Sequence, residues 1–307
     1  MTGGLKKIAP LFNPILKEIE ERNKSVFHWH GDETRWQVFE LIEGKLTYRW
    51  YLWVFVSKDT VIFILDPTRS AKVPKAHFSK VIKGILSVDR HVAYKVLLKD
   101  GRIILAFCWA HQRRDFIELA NSYPELEEWA FGWVELIGHL YHLNDIRVSN
   151  LGDPQAFAES DKSLREAVYE MEERIEEELS QKRHDAKREA ILKSMKNHWK
   201  GLTVFLYYPE VPMDNNMAER KIRGPVVGRK NFYGSGSVWS GYFAAGMFSI
   251  FQTLELSGLN QYLWLTEYLQ ACANNGGKPP DSISQFIPWK MSKERLQGLS
   301  KKPNTTA

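Results

Sequence analysis

A chain of 307 residues with a hydrophobic fraction of 44% and an aromatic fraction of 13% can build a sizeable core, which excludes a disordered or fibrous protein. Its two cysteines, Cys108 and Cys272, exclude a disulfide framework and a four-cysteine zinc site, and they fit a reducing cytosol. The net charge of +5 favours an anionic partner without naming one, no apolar run reaches about 18 residues, and the opening MTGGLKKIAPLF lacks the order of a signal peptide.

In chain order, Leu11, Ile15 and Ile19 at helical spacing predict a helix over 10–23, within a helical lead-in of residues 1–24. Residues 26–38, 46–56 and 60–65 are rich in Val, Ile, Trp, Tyr and Phe and are separated by short polar segments. They predict three strands of an antiparallel meander. A helix is expected near 74–82, and the apolar run Ile85-Leu86-Ser87-Val88 suits a buried strand that ends at Asp89. After the turn signal Lys99-Asp100-Gly101, residues 102–107 repeat the strand pattern.

Residues 113–206 read as nearly all helix, an insertion between the first part of a core (25–112) and its second part (207–275). Residues 225–240, which hold Pro225, Gly228, Gly234 and Gly236, read as loop, with closing helices over 244–258 and 261–273. Residues 276–307 read as a basic, mobile tail. Within 160–200 the dense charge favours a solvent-facing helical arm over an intersubunit seam.

Three acids stand where a strand end or a helix would present them. Asp32 follows Gly31, which permits close approach of a ligand or another backbone. Asp89 closes a buried strand, and Glu219 falls about one turn into a helix that Asp214 or Asn215 can cap. Each also has an ordinary reading: a strand-end polar residue, a turn or helix cap, and an i,i+4 partner for Arg223.

Whole segments decide between these readings. Residues 213–232, MDNNMAERKIRGPVVGRKNF, resemble the signature of the IS66 family of bacterial insertion-sequence transposases. Asp32-Glu33-Thr34-Arg35-Trp36 resembles that family's first-aspartate motif, and Cys108-Trp109-Ala110-His111-Gln112-Arg113-Arg114 resembles the motif after its second aspartate. The resemblance implies an α/β, RNase H-like mixed sheet flanked by helices, with a large helical insertion before the last catalytic residue. It implies Asp32, Asp89 and Glu219 as the catalytic, metal-binding triad, with Asp100 and Asp66 as alternatives to Asp89, because Arg90 stands where the family commonly has glycine. Two Mg²⁺ or Mn²⁺ ions are the implied cofactors, since paired divalent ions activate the attacking oxygen and neutralise the leaving one in phosphodiester chemistry.

The implied partners are transposon ends and target DNA, a second copy of the chain on DNA, and an end-recognition region or subunit. The implied location is the bacterial cytoplasm, on the nucleoid and not in a membrane. DNA contact is expected from Arg220, Arg223, Arg229 and Lys230, and by the resemblance from Arg113 and Arg114. Trp239 and Tyr233 are either packing residues or platforms for a displaced base. His28, His30 and Asp32 alternate on one strand face, a spacing open to zinc or to plain strand burial; Cys108 and His111 lack the second cysteine pair of a closed site.

Overall fold

The computed structural model describes residues 2–181 and 185–300, apart from the side chains of Thr2 and Asp100. Two helices lead in, α1 (Thr2–Ile8) and α2 (Asn13–Lys24). The meander follows as β1 (His28–Gln37), β2 (Arg49–Val56) and β3 (Val61–Asp66), then α3 (Lys72–His77), β4 (Gly84–Val88) and β5 (Ile103–Phe107). Helices α4 (Trp109–Ser122), α5 (Glu127–Ser149), α6 (Pro154–Ser180) and α7 (Ala186–Leu202) precede α8 (Asn216–Phe232), α9 (Val238–Leu256), α10 (Gln261–Asn274) and α11 (Lys293–Gly298). The strands form one mixed sheet in the order β3-β2-β1-β4-β5, with β1–β2 and β2–β3 antiparallel. This is the expected α/β architecture, a mixed sheet flanked by helices, and the helical run precedes the helix that carries Glu219.

The chain divides into two compact units, one holding the described residues within 1–84, 95–102 and 216–307, the other 85–94 and 103–215. In the first unit, Trp36, Leu52, Val54, Phe63 and Leu65 of the meander pack with Ala218 and Ile222 of α8 and Ala245 of α9. A second cluster joins Phe12, Ile15 and Ile19 to Ile250, Leu254, Trp264 and Tyr268, and it also takes in Phe286, Ile287 and Leu299. Residues 276–300 therefore differ from the expected mobile tail. Apolar anchors recur among their lysines, and Lys290 and Arg295 pair with Glu18 and Glu267 at 2.5 Å each. The rest of the expected tail, residues 301–307, lies outside the described residues.

A buried polar network fixes α3 to the meander. Asn23 donates to Thr60 Oγ1 at 3.0 Å and to Phe55 O at 3.3 Å, its Oδ1 lies 2.9 Å from His77 Nε2, and the His77 ring stacks on Phe55 at 4.4 Å. Burial, helped by the Lys24 charge, lowers the His77 pKa to about 3, so the ring is neutral at ordinary pH. Helix α3 stops at His77, short of the expected 82, because Phe78 and Val81 turn into the core from a bend.

The expected loop over 225–240 is mostly helix. Pro225 has no N–H for the carbonyl of Lys221, yet α8 continues to Phe232, because Gln252 Nε2 of α9 donates to that carbonyl at 2.8 Å. Only residues 233–237 remain irregular. There Tyr233 adopts φ 62°, and at Gly234 any Cβ would lie 2.3 Å from Gln37 O, so no side chain fits.

In the second unit, α5 packs with α4 and α6, and α7 with α6, α4 and β5. Leu164, Val168, Met171 and Ile175 bury one face of α6, and Phe116 stacks on Trp133 at 5.6 Å. The segment expected as a solvent-facing arm is thus a packed part of this unit. Its apolar positions, sparse in sequence, all fall on one stripe. Buried Arg147 ties the unit together by pairing with Asp161 at 2.6 Å and donating to Phe205 O and Leu206 O at 3.0 and 2.9 Å. Among the described residues, no helix is long and apolar enough to cross a membrane.

Candidate active site

In the first unit, Asp32 sits mid-strand in β1, half-buried, with Val54 as its neighbour on β2. Its Oδ1 accepts the Glu33 N–H at 2.8 Å. Strand alternation turns Glu33 to the opposite face, where it is buried and takes Arg69 Nε at 2.7 Å and Nη2 at 2.5 Å. That pair anchors β1 from behind. Helix α8 packs on β1 through Ala218 and Ile222, and Glu219 lies half-buried in its first turn. One unit therefore carries Asp32 and Glu219 on a strand and on the helix packed against it.

Asp89 belongs to the second unit and follows β4, all five residues of which are buried. Its Oδ1 accepts the His91 N–H at 2.9 Å. The intervening Arg90, which stands where glycine was the commoner form, pins this turn to α4 through Gln112 Oε1 at 2.8 Å and through Asp115. Of the two alternatives, Asp66 caps a turn after β3, accepting Thr68 N–H and Oγ1–H at 2.7 and 2.6 Å. The Asp100 side chain lies outside the described residues.

His28 and His30 share a face of β1 with ring centroids 4.6 Å apart. Burial, then the His30 charge, lowers the His28 pKa to about 3.

The basic residues fall into two groups. On α8, Arg220, Arg223 and Lys230 are exposed at helical spacing along one face, whereas half-buried Arg229 reaches Thr34 Oγ1 at 3.4 Å and Lys221 pairs with Glu255 at 3.0 Å. On α4, exposed Arg113 and Arg114 line a groove of about 430 Å³ with Ala110, Ile117, Gly138, Tyr141 and Asp214. Asp214, which with Asn215 was a candidate cap for α8, also serves the start of α4, its Oδ1 accepting Ala110 N–H at 3.0 Å and the Tyr141 hydroxyl. Burial first, then this hydrogen bond and the carboxylate charge, raises the Tyr141 pKa. Cys108, buried beside it, accepts Asn215 N–H at 3.3 Å.

Sequence reasoning missed the partners that orient the acids and basic groups: Arg69 for Glu33, Arg90 for the Asp89 turn, Tyr141 for Asp214. The bonds that do this, Arg69–Glu33, Arg90–Asp115 and Tyr141–Asp214, join residues 36, 25 and 73 apart, so no local spacing signals them.

Comparison with known proteins adds three findings. A family model described as "Transposase IS66 family" matches residues 1–242. Two uncharacterized proteins of Sinorhizobium fredii (strain NBRC 101917 / NGR234) are similar: y4jD, 27% identical over 256 residues, 80% of this chain and 48% of y4jD; and y4qI, 27% identical over 306 residues, 94% of this chain and 55% of y4qI. The chain spans about half the length of the curated relatives it matches. Among solved structures, the HTLV-2 integrase catalytic core domain, determined as a dimer with magnesium, is similar over 35% of this chain and 82% of that one, with 14% identity and a TM-score of 0.20. At that score the likeness decides nothing about this chain.

Proposed function

This chain belongs to the IS66 family of transposases, and from that premise we propose that it is the catalytic portion of a DNA transposase that cuts DNA and joins the freed 3′-OH to a target strand. Asp32, Asp89 and Glu219 are its proposed catalytic carboxylates. The observation that carries the reading is where these three acids stand: mid-β1, at the end of β4, and in the first turn of the helix after the insertion. That element order is the one the family resemblance implied.

Each of the three is a half-buried carboxylate with oxygen alone to offer, the ligand a hard divalent cation prefers. Asp32, Asp89 and Glu219 would hold two Mg²⁺ or Mn²⁺ ions, which would supply Lewis acidity to the phosphodiester and activate the attacking water or 3′-OH. The chain's own part is positional. The Glu33–Arg69 pair holds the rear of β1, the Arg90 clamp holds the Asp89 turn, and α8 holds Glu219 on a rigid element. The exposed Arg220, Arg223 and Lys230, and Arg113 and Arg114 on α4, bind phosphates of the element ends and target, with Arg229 beside them. Two copies of the chain act together on DNA, with an end-recognition region or subunit as partner, in the bacterial cytoplasm on the nucleoid.

The test is incubation of the protein with pre-cut element ends, a target plasmid and Mg²⁺ or Mn²⁺. Joined products are expected. Cleavage without joining would make it an RNase H-like nuclease, binding alone a non-catalytic DNA-binding protein, and neither outcome is compatible with the proposal.

A further inference from the structure

Where α8 gives way to α9, a cavity of about 560 Å³ opens within the first unit, in the range of about 300–1,000 Å³ that holds small organic ligands. Phe232 and Trp239 line it, along with Trp36, Gly234, Ser237 and Ser240. Phe232 is 50% exposed although its ring sits edge-on to Trp36 at 6.0 Å. The wall is fixed: Trp36 Nε1 donates to Ser235 Oγ at 3.0 Å, and Ser235 N–H and O bond Gln37 O and Phe39 N–H at 2.8 Å each. Tyr233 beside it takes the left-handed conformation common just past a helix end and is 71% exposed.

We propose that this cavity holds one unstacked nucleobase of a DNA strand whose phosphates lie on the exposed cations of α8. The inference rests on the DNA-processing reading and adds a site to it.

Three observations select this occupant. The aromatic walls offer π-faces to a base of any sequence. Cations flank them: Arg229 and Lys230 occupy the last turn of α8, and Lys6 Nζ lies 5.9 Å from the Trp239 ring. The start of α9 does not suit a phosphate, because the Glu40 carboxylate already takes the Val238 N–H at 2.6 Å and would repel an anion. The cavity thus favours the neutral base and leaves the phosphates to the cations outside. Ser240 Oγ is used within the helix cap, donating to Ser237 O at 2.8 Å and accepting from Ser237 N–H and Oγ, so Ser237 Oγ is the hydroxyl that can still accept from a base edge.

The experiment measures anisotropy of a fluorescein-labelled 20-nucleotide thymidine strand and of the matching duplex, titrated with the full chain and with Trp239→Ala and Phe232→Ala. Each substitution is expected to weaken single-strand binding about tenfold and to change duplex binding less than about twofold. A strand of abasic sites should bind the unaltered protein as weakly as the intact strand binds the variants. Phe232→Ala, which removes a half-exposed ring, carries the test if Trp239→Ala does not fold. Equal losses on both DNAs, or none on the single strand, would overturn the proposal while leaving the DNA-processing reading standing. Failure of the unaltered protein to bind either DNA would overturn both.

Discussion

Helix α6 is helical by its own sequence, whereas α8 is helical because of what packs on it. In α6, Asp153 caps the first turn by accepting Gln155 and Ala156 N–H at 3.0 and 3.1 Å, and Pro154 opens the helix. Pairs such as Arg165–Asp161 at 2.7 Å and Arg174–Glu178 at 2.9 Å run along its surface. In α8, by contrast, Gly224, Pro225 and Gly228 interrupt 17 residues, and intrinsic propensity alone would break it. What restores it is tertiary: burial of Ala218, Ile222 and Pro225, and a side-chain donor from α9 in place of the missing amide. The helix proposed to carry chemistry is thus the one whose shape depends on its neighbours.

The contrast can be broken most strongly at the DNA. Replacing Arg220, Arg223 and Lys230 together by alanine should lower duplex affinity about hundredfold, roughly 2.7 kcal/mol, and flatten the log–log salt slope by about 2.7. Lys162→Ala on α6 should change neither, and filter binding across a salt series reads both.

The next effect is on stability. Gln252→Leu leaves the Lys221 carbonyl without its donor and should cost about 2 kcal/mol in urea unfolding. Adding Pro225→Ala returns a backbone N–H to that carbonyl and should recover most of the loss, which a double-mutant cycle measures.

Acid probes the first unit through His77. Its folded pKa of about 3 lies below the unfolded value of about 6.5, so the unfolded chain binds the proton first. This contribution to stability is complete above about pH 6.5 and falls by about 1.4 kcal/mol per pH unit as the pH drops toward 3. Urea melts of His77→Gln should be flatter over that window than those of the unaltered chain. The smallest effect belongs to α6: Asp153→Ala should cost about 1 kcal/mol, read in the same melts.

This difference between helices also explains what the sequence made legible. The meander strands and the helicity of α6 follow from local pattern, β-branched and aromatic runs in one case and a densely charged stretch without helix breakers in the other. Helix α8 beyond Gly224 was not legible, because its repair comes from Gln252, 31 residues after the carbonyl it satisfies. Residues 276–300 were misread because Phe286, Ile287 and Leu299 show their worth only against Phe12, Trp264 and Tyr268. At the candidate site, Glu219 and Asp32 come from segment motifs and Asp89 from its place after a buried strand, which is where the structure has them: the first turn of α8, mid-β1 and the end of β4. Arg69, Arg90 and Tyr141, which orient the groups around them, were invisible because their partners are distant in sequence. The bond between Asp214 Oδ1 and the start of α4 was equally out of reach, because Ala110 lies 104 residues away in sequence.

The most direct test of the central claim is strand transfer by four single variants, Asp32→Asn, Asp89→Asn, Glu219→Gln and Asp66→Asn, with DNA binding followed in parallel. The first three should lose on the order of 10³-fold or more of activity and keep their DNA affinity, because what is removed is the positioning of cations. Asp66→Asn should stay within severalfold of the unaltered chain. An active Asp89→Asn protein, or an inactive Asp66→Asn protein that still binds DNA, would contradict the assignment of the triad.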